Sequence, residues 1–244
     1  MFLTGQEEID AAKEMLVART RGLGKTIGEL IVLPIYSTLP SDMQAKIFEP
    51  TPKGARKIVL ATNIAETSLT IDNIIYVIDC GFAKMTCFNP RSGLEMLAVT
   101  PISKASADQR AGRAGRVSPG KCFRLYTLWS FQHELEQNAI PEIQRTNLGG
   151  VVLMLKCLGI DNLITFDFLD PPSHEMLMRA LEQLYAIGAL NDKAELTRLG
   201  RRMAEFPTDP LLAKVIIQSE KYKCVEQVTT KFKNFIFPKF FIQI

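Results

Sequence analysis

Residues 109–116 read Gln-Arg-Ala-Gly-Arg-Ala-Gly-Arg and follow a segment rich in alanine and serine. That preceding segment favours a helix, and a helix continued through the string turns about 100° per residue. At that pitch Arg113 lies about 40° to one side of Gln109 and Arg116 about 20° to the other, while Arg110 points about 100° away. The sequence therefore predicts one helical face with a carboxamide and two guanidinium groups, and an Arg110 that anchors locally or meets a backbone phosphate.

This set of side chains suits a nucleoside triphosphate and its attacking water. Guanidinium groups neutralise the charge that develops on a γ-phosphate, and a carboxamide orients the water. Gly112 and Gly115 would each cost a helix about 1 kcal/mol relative to alanine, which indicates that something approaches the backbone closely. The alternative is a solvated helix with salt-bridged arginines, and repeated glycines fit it poorly.

Three short apolar segments upstream predict the surrounding fold. Residues 31–35, 57–62 and 74–79 are rich in β-branched residues, and segments with helical periodicity separate them. A helix is expected to open at Pro40 and to run through Phe48. Because such alternation is typical of a parallel sheet covered by helices on both faces, we expect an α/β domain.

Beyond residue 140 the pattern becomes helical. Apolar residues recur at helical spacing in 148–155 and 177–184, and Gly159 and Gly188 are placed to end those helices. The apolar, turn and apolar segment 189–196 suits the wing of a winged helix. The N-caps expected for two further helices are Thr197 and Asp209.

Composition and charge exclude several classes of protein. No apolar run approaches the roughly 18 residues of a membrane span, and the first residues do not form a secretory signal. The five cysteines never form a Cys-x-x-Cys pair, which argues against a zinc site or disulfide framework and for a reducing compartment. Between residues 84 and 126 eight basic residues face two acidic ones, a surplus of +6 in a chain of net charge +3. This local surplus is either a solvated face or a phosphate-binding surface.

Three strings in order carry a resemblance to a known family. Residues 2–5 read Phe-Leu-Thr-Gly, residues 62–70 read Thr-Asn-Ile-Ala-Glu-Thr-Ser-Leu-Thr, and residues 109–116 follow. They resemble motifs IV, V and VI of the DEAH-box ATP-dependent RNA helicases, and the likeness extends to about residue 228. The wording is most similar to that of the spliceosomal, pre-mRNA-splicing members.

The resemblance implies a fold class and a division into domains. The expected fold is an α/β RecA-like helicase lobe with a parallel sheet, then a mostly helical winged-helix domain and the start of a helical ratchet domain. The implied bounds are 1–128 for the lobe, 129–196 for the winged helix, 197–230 for the ratchet domain and 231–244 for an atypical tail.

The family's nucleotide-site roles transfer to matching positions. Arg113 and Arg116 match the arginines that contact the γ-phosphate, and Gln109 matches the residue near the catalytic water. Thr70, which closes motif V, is assigned to the same nucleotide site. These roles make Gln109, Arg113 and Arg116 the candidate catalytic residues.

Two further nucleotide contacts have plain structural alternatives. Phe48 matches the aromatic residue that stacks on adenine, but its spacing also fits a core phenylalanine. Asp72 matches the position that reaches the ribose, but it also fits a turn-forming aspartate before Asn73.

The resemblance also implies contacts to the RNA backbone. The matching positions are Thr4, Ser37, Thr38, Thr62, Asn63 and Arg91. Hydroxyl and amide donors can contact phosphate or sugar without reading bases, although lone hydroxyl groups are more often caps or turn formers. Residues 82–100 resemble the family's β-hairpin, with a turn at 89–93.

Two other features are set aside. Residues 22–26 read Gly-Leu-Gly-Lys-Thr, but the earlier glycine of a P-loop falls at Arg19 and no strand precedes it, so we expect an exposed loop. His133 and His174 lack ligand spacing, so no metal site is expected in this chain.

The implied cofactor is ATP with Mg²⁺, whose ligands belong to a first motor lobe. Neither the P-loop nor the acidic motif of that lobe occurs in this sequence. We therefore expect this chain alone to lack ATPase activity. The missing lobe and the unusual tail suggest a truncated or misjoined gene product.

The implied function is ATP-driven translocation along single-stranded RNA or pre-mRNA and remodelling of ribonucleoprotein. Spliceosomal proteins and a G-patch activator are the implied partners, no membrane is involved, and the location is the nucleus or else the cytoplasm. One alternative is a non-catalytic RNA- or protein-binding module. A DNA-directed helicase is the other.

Overall fold

The computed structural model of the protein describes residues 1–21 and 28–236. The chain forms two units, one made of Met1–Met85 and Leu97–Ala139, the other of Thr86–Met96 and the residues from Ile140 onward. The segment 22–26, expected to be an exposed loop, lies outside the described residues.

The first unit is the α/β lobe that the sequence predicts. The strands of the chain are β1 (Leu30–Ile35), β2 (Arg56–Ala61), β3 (Tyr76–Asp79), β4 (Phe82–Asn89), β5 (Leu94–Pro101) and β6 (Lys121–Arg124). The helices of this unit are α1 (Gln6–Arg21), α2 (Ser41–Ala45), α3 (Ile64–Thr67), α4 (Lys104–Ala111) and α5 (Leu128–His133). The helix predicted from Pro40 continues beyond α2 as a 3₁₀ turn, Lys46–Phe48.

Four strands and the first residues of the chain form one parallel sheet. β1 pairs with β2, and β3 pairs with β6, both in parallel. Phe2 bridges Ala61 and Asp79 in parallel, so residues 1–3 lie between β2 and β3. The order is therefore β1, β2, residues 1–3, β3 and β6. We call the edge where these strands begin the amino edge and the edge where they end the carboxyl edge.

Apolar side chains on both faces explain why β2 is a central strand. Leu60 packs in a cluster with Ile9 of α1, whereas Val59 and Ala61 pack in another with Ala65 of α3. Successive residues of a strand point to opposite faces, so a strand that is apolar throughout must be covered on each side.

The hairpin predicted at 82–100 is formed by β4 and β5, which pair with each other. Asn89 shapes the tip, since its Oδ1 accepts from the Arg91 amide at 3.0 Å, and Gly93 adopts a positive φ of 70°. The tip, Thr86–Met96, belongs to the second unit, where the Phe88 amide donates to the Arg145 carbonyl at 2.8 Å.

The second unit is helical around one apolar core. Its helices are α6 (Gly149–Cys157), α7 (His174–Ala186), α8 (Arg198–Ala204), α9 (Pro210–Lys221) and α10 (Val225–Ile236), after a 3₁₀ turn at Glu142–Gln144. Gly159 and Gly188 have the positive φ expected of helix ends, and an antiparallel bridge between Leu190 and Leu196 forms the wing.

The N-caps and the tail complete this unit. Thr197 and Asp209 accept the predicted capping hydrogen bonds, from the amides of Gly200 and Leu211. Residues 231–236, assigned from sequence to an atypical tail, continue α10, and residues 237–244 lie outside the described part. The domain bounds at 128, 196 and 230 stay a prediction.

Candidate nucleotide and nucleic-acid sites

The arginine-rich string begins on α4 and leaves it sooner than predicted. Ser103 caps α4 by accepting from the Ser106 amide at 3.1 Å, and the helix ends at Ala111. The prediction that one helical face carries Gln109, Arg113 and Arg116 is therefore wrong, because Arg113 and Arg116 lie in the turns that follow. Arg113 nevertheless stays beside the helix end, since its Nε donates to the Gln109 carbonyl at 3.4 Å.

Arg113 and Arg116 form a pair of neighbouring cations. Burial, and then repulsion from Arg116, lower the pKa of Arg113. Arg113 Nη1 is buried and has no hydrogen-bond partner among the described residues. Arg116 is exposed, and its Nη1 donates to Thr70 Oγ1 at 2.8 Å. Two adjacent guanidinium groups with an unsatisfied N–H are suited to bind an anion such as a phosphate group.

These residues lie at the amino edge of the sheet. Thr70 and Asp72 precede β3, and the Arg113–Arg116 turns precede β6, whose Lys121 amide donates to the Ile75 carbonyl at 2.9 Å. The turns pass so close to the start of β6 that a methyl group on Gly120 would lie 2.0 Å from the Ala114 carbonyl oxygen. The structure thus brings Thr70 and Arg116 into direct contact across 46 residues of sequence.

Phe48 is not a core residue, which excludes the alternative left open by the sequence. It is 54% exposed, whereas the preceding Ile47 is only 1% exposed. Lys57 Nζ donates to the Ile47 and Glu49 carbonyls, the first at 3.0 Å, so the 3₁₀ turn is tied to the beginning of β2 at the amino edge. Phe48 therefore offers an aromatic face on the same edge as the arginine pair.

Asp72 lies in a turn with an exposed side chain, and Asn73 after it has a positive φ of 62°. The turn-forming role is thus satisfied, and the exposed carboxylate remains available to a ligand at the amino edge.

The other candidate contacts lie at the carboxyl edge. Ser37 and Thr38 form the turn after β1, and Thr62 and Asn63 follow β2, with the Thr62 amide donating to the Ile35 carbonyl at 3.2 Å. Asn63 begins α3, but its side chain makes no capping hydrogen bond. These donors lie next to one another because β1 and β2 are neighbouring parallel strands.

Thr4 and Arg91 differ from the other members of that set. Thr4 follows residues 1–3 at the carboxyl edge and lies just before α1. The pKa of Glu8, in the first turn of α1, is lowered chiefly by a backbone hydrogen bond and further by Thr4 and Lys84, against an opposing effect of burial. Arg91 belongs to the second unit, where its Nε lies 3.4 Å from Glu175.

A buried ionic cluster, which the sequence did not reveal as a whole, links these elements. Arg110 is 0% exposed; its Nε donates to Glu66 Oε1 and its Nη1 to Asp79 Oδ1, each at 2.7 Å. Ser106 Oγ donates to Glu66 at 2.5 Å, and the Tyr126 hydroxyl donates to Asp79 at 2.8 Å. We call these five residues the Arg110 cluster.

Opposing effects act on the protonation of Arg110. Burial lowers the pKa of Arg110, but Glu66 and Asp79 outweigh it and raise the pKa overall. Arg110 therefore anchors locally, which was one of its two predicted roles. The only local signal for its partners was Asp79 at the end of the apolar segment 74–79.

The local surplus of positive charge is smaller than the sequence count. Four of the eight basic residues between 84 and 126 form ion pairs, three of them with carboxylates outside that stretch. The pairs are Lys84–Glu8, Arg91–Glu175, Arg110 with Glu66 and Asp79, and Arg124–Asp108. Arg113 and Arg116 are among those without an acidic partner in the described part of the chain, so positive charge remains at the amino edge.

No helix in residues 1–21 or 28–236 is long and apolar enough to cross a membrane. In the same part of the chain, no three His, Cys, Asp or Glu side chains are grouped so that they could hold a metal ion.

Comparison with known proteins agrees with both units. Residues 1–118 match the helicase conserved C-terminal domain, and residues 180–208 match the winged-helix helicase-associated domain, HA2. The crystal structure of the Escherichia coli DEAH/RHA helicase HrpB is similar with a TM-score of 0.79 and 36% identity over 88% of this chain. A structure of the E. coli DExH-box NTPase HrpB is similar with a TM-score of 0.76 and 37% identity over 89% of this chain.

The present chain spans 27% and 26% of the lengths of those two HrpB chains. The matched domains follow one another in the order found by the structure, an α/β lobe and then a winged-helix unit. The chain therefore matches the helicase conserved C-terminal domain over residues 1–118 and the HA2 winged-helix domain over residues 180–208, and over 88% of its length it is similar to a DEAH/RHA helicase.

Proposed function

We propose that this chain supplies the second motor lobe of an ATP-dependent RNA helicase, with nucleotide at its amino edge and single-stranded RNA at its carboxyl edge. One observation carries the proposal: Thr70 and Arg116 are in contact at the amino edge, whereas Thr62 and Asn63 follow the end of β2 at the carboxyl edge of the same sheet. A lobe with two separate ligand edges can respond to one ligand while it holds the other.

At the amino edge, Arg113 and Arg116 neutralise charge on the γ-phosphate, and Gln109 helps to place the attacking water. The buried, unpaired Arg113 Nη1 supports this role because a phosphate oxygen would satisfy it. Thr70 holds Arg116, Phe48 stacks on the adenine and Asp72 reaches the ribose. Mg²⁺ neutralises phosphate charge in such sites, and its ligands belong to the first lobe.

At the carboxyl edge, the hydroxyl and amide groups of Ser37, Thr38, Thr62 and Asn63 contact phosphate and ribose. Thr4, just before α1, adds a hydroxyl group at this edge. Arg91 supplies a separate phosphate contact on the second unit. Such contacts carry little base specificity, and their affinity falls with salt because phosphate binding releases counterions.

The proposed cellular role is based on the amino-acid sequence of the three motif segments. We propose a role in pre-mRNA splicing in the nucleus, with spliceosomal proteins and a G-patch activator as partners. Because the sequence contains neither a P-loop nor the acidic motif of a first lobe, the chain alone has negligible ATPase activity. The alternative of a non-catalytic RNA- or protein-binding module predicts RNA binding that no nucleotide alters.

Two measurements test the proposal. The chain should bind labelled oligouridine, and Thr62→Ala with Asn63→Ala should weaken binding about 10-fold. Thr51→Ala, an exposed residue in the loop that precedes β2 and so on the amino side of the sheet, should not weaken it. In the two-lobed motor, Arg113→Ala or Arg116→Ala should lower turnover about 10³- to 10⁵-fold with the fold intact. Undiminished turnover in both arginine variants refutes the motor, and phosphate release by the chain alone refutes its inactivity.

A further inference from the structure

The Arg110 cluster joins segments that lead to the two edges of the lobe. Glu66 lies on α3, which begins beside Asn63 at the carboxyl edge and leads to Thr70 at the amino edge. Arg110 follows Gln109 directly, and its carbonyl accepts from the Arg113 amide at 3.1 Å. The Arg110 side chain is therefore bonded to Glu66 in the segment between the two edges, and the Arg110 carbonyl is bonded to the turns that carry Arg113 and Arg116.

The geometry makes the connection between α3 and α4 stiff. The Arg110 guanidinium makes two 2.7 Å charge-assisted bonds to Glu66 and Asp79, and its Nη2 donates to the Phe82 carbonyl at 3.2 Å. Since a buried charge that loses a partner is costly, α3 and α4 cannot shift independently. The Phe2 ring, with its centroid 4.9 Å from Arg110 Cζ, closes the cluster from the central strand.

Stability alone does not require such a cluster. Replacing a buried ion pair by well-packed apolar side chains is often neutral or stabilising, because the two charges no longer have to be desolvated. A guanidinium with two carboxylate partners does supply a fixed relative position of the elements that carry them.

We propose that Arg110 is a positioning residue that transmits occupancy of the carboxyl edge by single-stranded RNA to the turns that carry Arg113 and Arg116. The inference rests on the proposed function of the two edges. Binding of RNA beside Asn63 moves or stiffens α3, Glu66 carries that change to Arg110, and the turns respond through the Arg110 carbonyl. By linkage, an anion bound at the turns changes the affinity for RNA by the same factor by which RNA changes the affinity for the anion.

The test uses the 244-residue chain with fluorescein-labelled oligouridine as the probe. Amide hydrogen exchange of residues 112–116 is measured with and without RNA, at saturation judged by fluorescence anisotropy. The variants are Arg110→Lys, which keeps the charge but cannot reach both carboxylates, and Arg110→Met with Glu66→Gln, which removes the pair. Arg124→Lys is the matched control, because it alters a 2.7 Å ion pair to Asp108 of the same helix at the surface.

RNA should slow exchange in 112–116 by about threefold or more in the wild-type chain and in Arg124→Lys. In both Arg110 variants that effect should vanish while RNA affinity stays within about threefold of wild type. A merely structural arginine would change stability without selectively removing the response to RNA.

The remaining outcomes are separable. An RNA effect that persists in the Arg110 variants, or is absent from a wild-type chain that does bind RNA, overturns the inference and leaves the RNA edge standing. A wild-type chain that does not bind RNA overturns the RNA edge and the inference together. If the Arg110 variants do not fold, Ser106→Ala decides: a weakened RNA effect supports the inference, and an unchanged effect overturns it.

Discussion

Thr70 Oγ1 accepts a hydrogen bond from Arg116 Nη1 at 2.8 Å, which joins the end of the segment 62–70 to the end of the segment 109–116 at the amino edge. Both residues are exposed, so the bond does not serve the core. Its effect is to fix one terminal guanidinium group beside Arg113, at the cost of the freedom that an exposed arginine otherwise has.

Replacement of Thr70 by valine should therefore impair catalysis more than stability. Loss of the bond leaves Arg116 to be ordered by the nucleotide itself, which we expect to lower kcat/KM of the two-lobed motor about 10-fold, or roughly 1.4 kcal/mol. Steady-state hydrolysis kinetics provide the measurement. Thr70→Ser retains the hydroxyl and serves as the control; equal activity of the serine and valine variants would show that the bond has no catalytic role.

The sequence predicted β1, β2 and β3 because runs of β-branched apolar residues indicate strands that are buried on both faces. The end of α4 was not. The 100° rule assumes a helix that continues, whereas the chain must leave α4 at Gly112 to reach the start of β6. For Phe48 the sequence allowed both an adenine contact and a core position, and the spacing could not decide between them. A 3₁₀ turn directs Ile47 into the core and the next residue outward.

The Arg110 cluster shows a different limit of sequence reasoning. Arg110 meets Glu66 and Asp79 across 44 and 31 residues, and no local periodicity encodes such pairs. What the sequence does show is a carboxylate at the end of the apolar segment 74–79 and another four residues after the segment 57–62. Only the parallel order of β2, residues 1–3 and β3 brings the two carboxylates to one arginine.

A second prediction concerns Arg91, whose ion pair with Glu175 is too exposed to solvent to fix the position of its side chain. The Arg91 side chain is 88% exposed, and such pairs contribute about 0–1 kcal/mol, so the guanidinium remains available to a phosphate. Arg91→Ala should weaken oligouridine binding about two- to threefold and reduce the salt slope by about one. Glu175→Gln should leave binding unchanged or strengthen it; parallel losses in both variants would indicate that the pair matters only structurally.

Tyr126 provides a prediction on pH dependence. Burial, and then its hydrogen bond to Asp79, raise the pKa of Tyr126 above its ordinary value of 10.0. Because the folded state holds this proton more tightly than the unfolded chain, its stabilising contribution is complete below pH 10 and declines as pH rises above it. Denaturant unfolding of the chain between pH 9 and 11.5 should show this decline.

Tyr126→Phe supplies the comparison for that titration. The variant loses the hydrogen bond and should be less stable at neutral pH, but its stability should fall less steeply above pH 10. Identical alkaline slopes in the two proteins would show that Tyr126 is not the group responsible.

Gly81 should be intolerant of any side chain, for two reasons that act together. Its φ is +82°, a conformation unfavourable for other residues, and a methyl group there would lie 2.7 Å from the Tyr126 ring. We expect Gly81→Ala to destabilise the chain by about 2–4 kcal/mol, since backbone strain and displacement of Tyr126 from Asp79 combine.

Gly115→Ala is the control, because its methyl group meets no atom within 4 Å, and it should change the free energy of unfolding by less than about 0.5 kcal/mol. Equal stability of the two variants in urea would mean that the ring of Tyr126 does not pack over Gly81. It would also contradict the position of Tyr126 that allows its hydrogen bond to Asp79 in the Arg110 cluster.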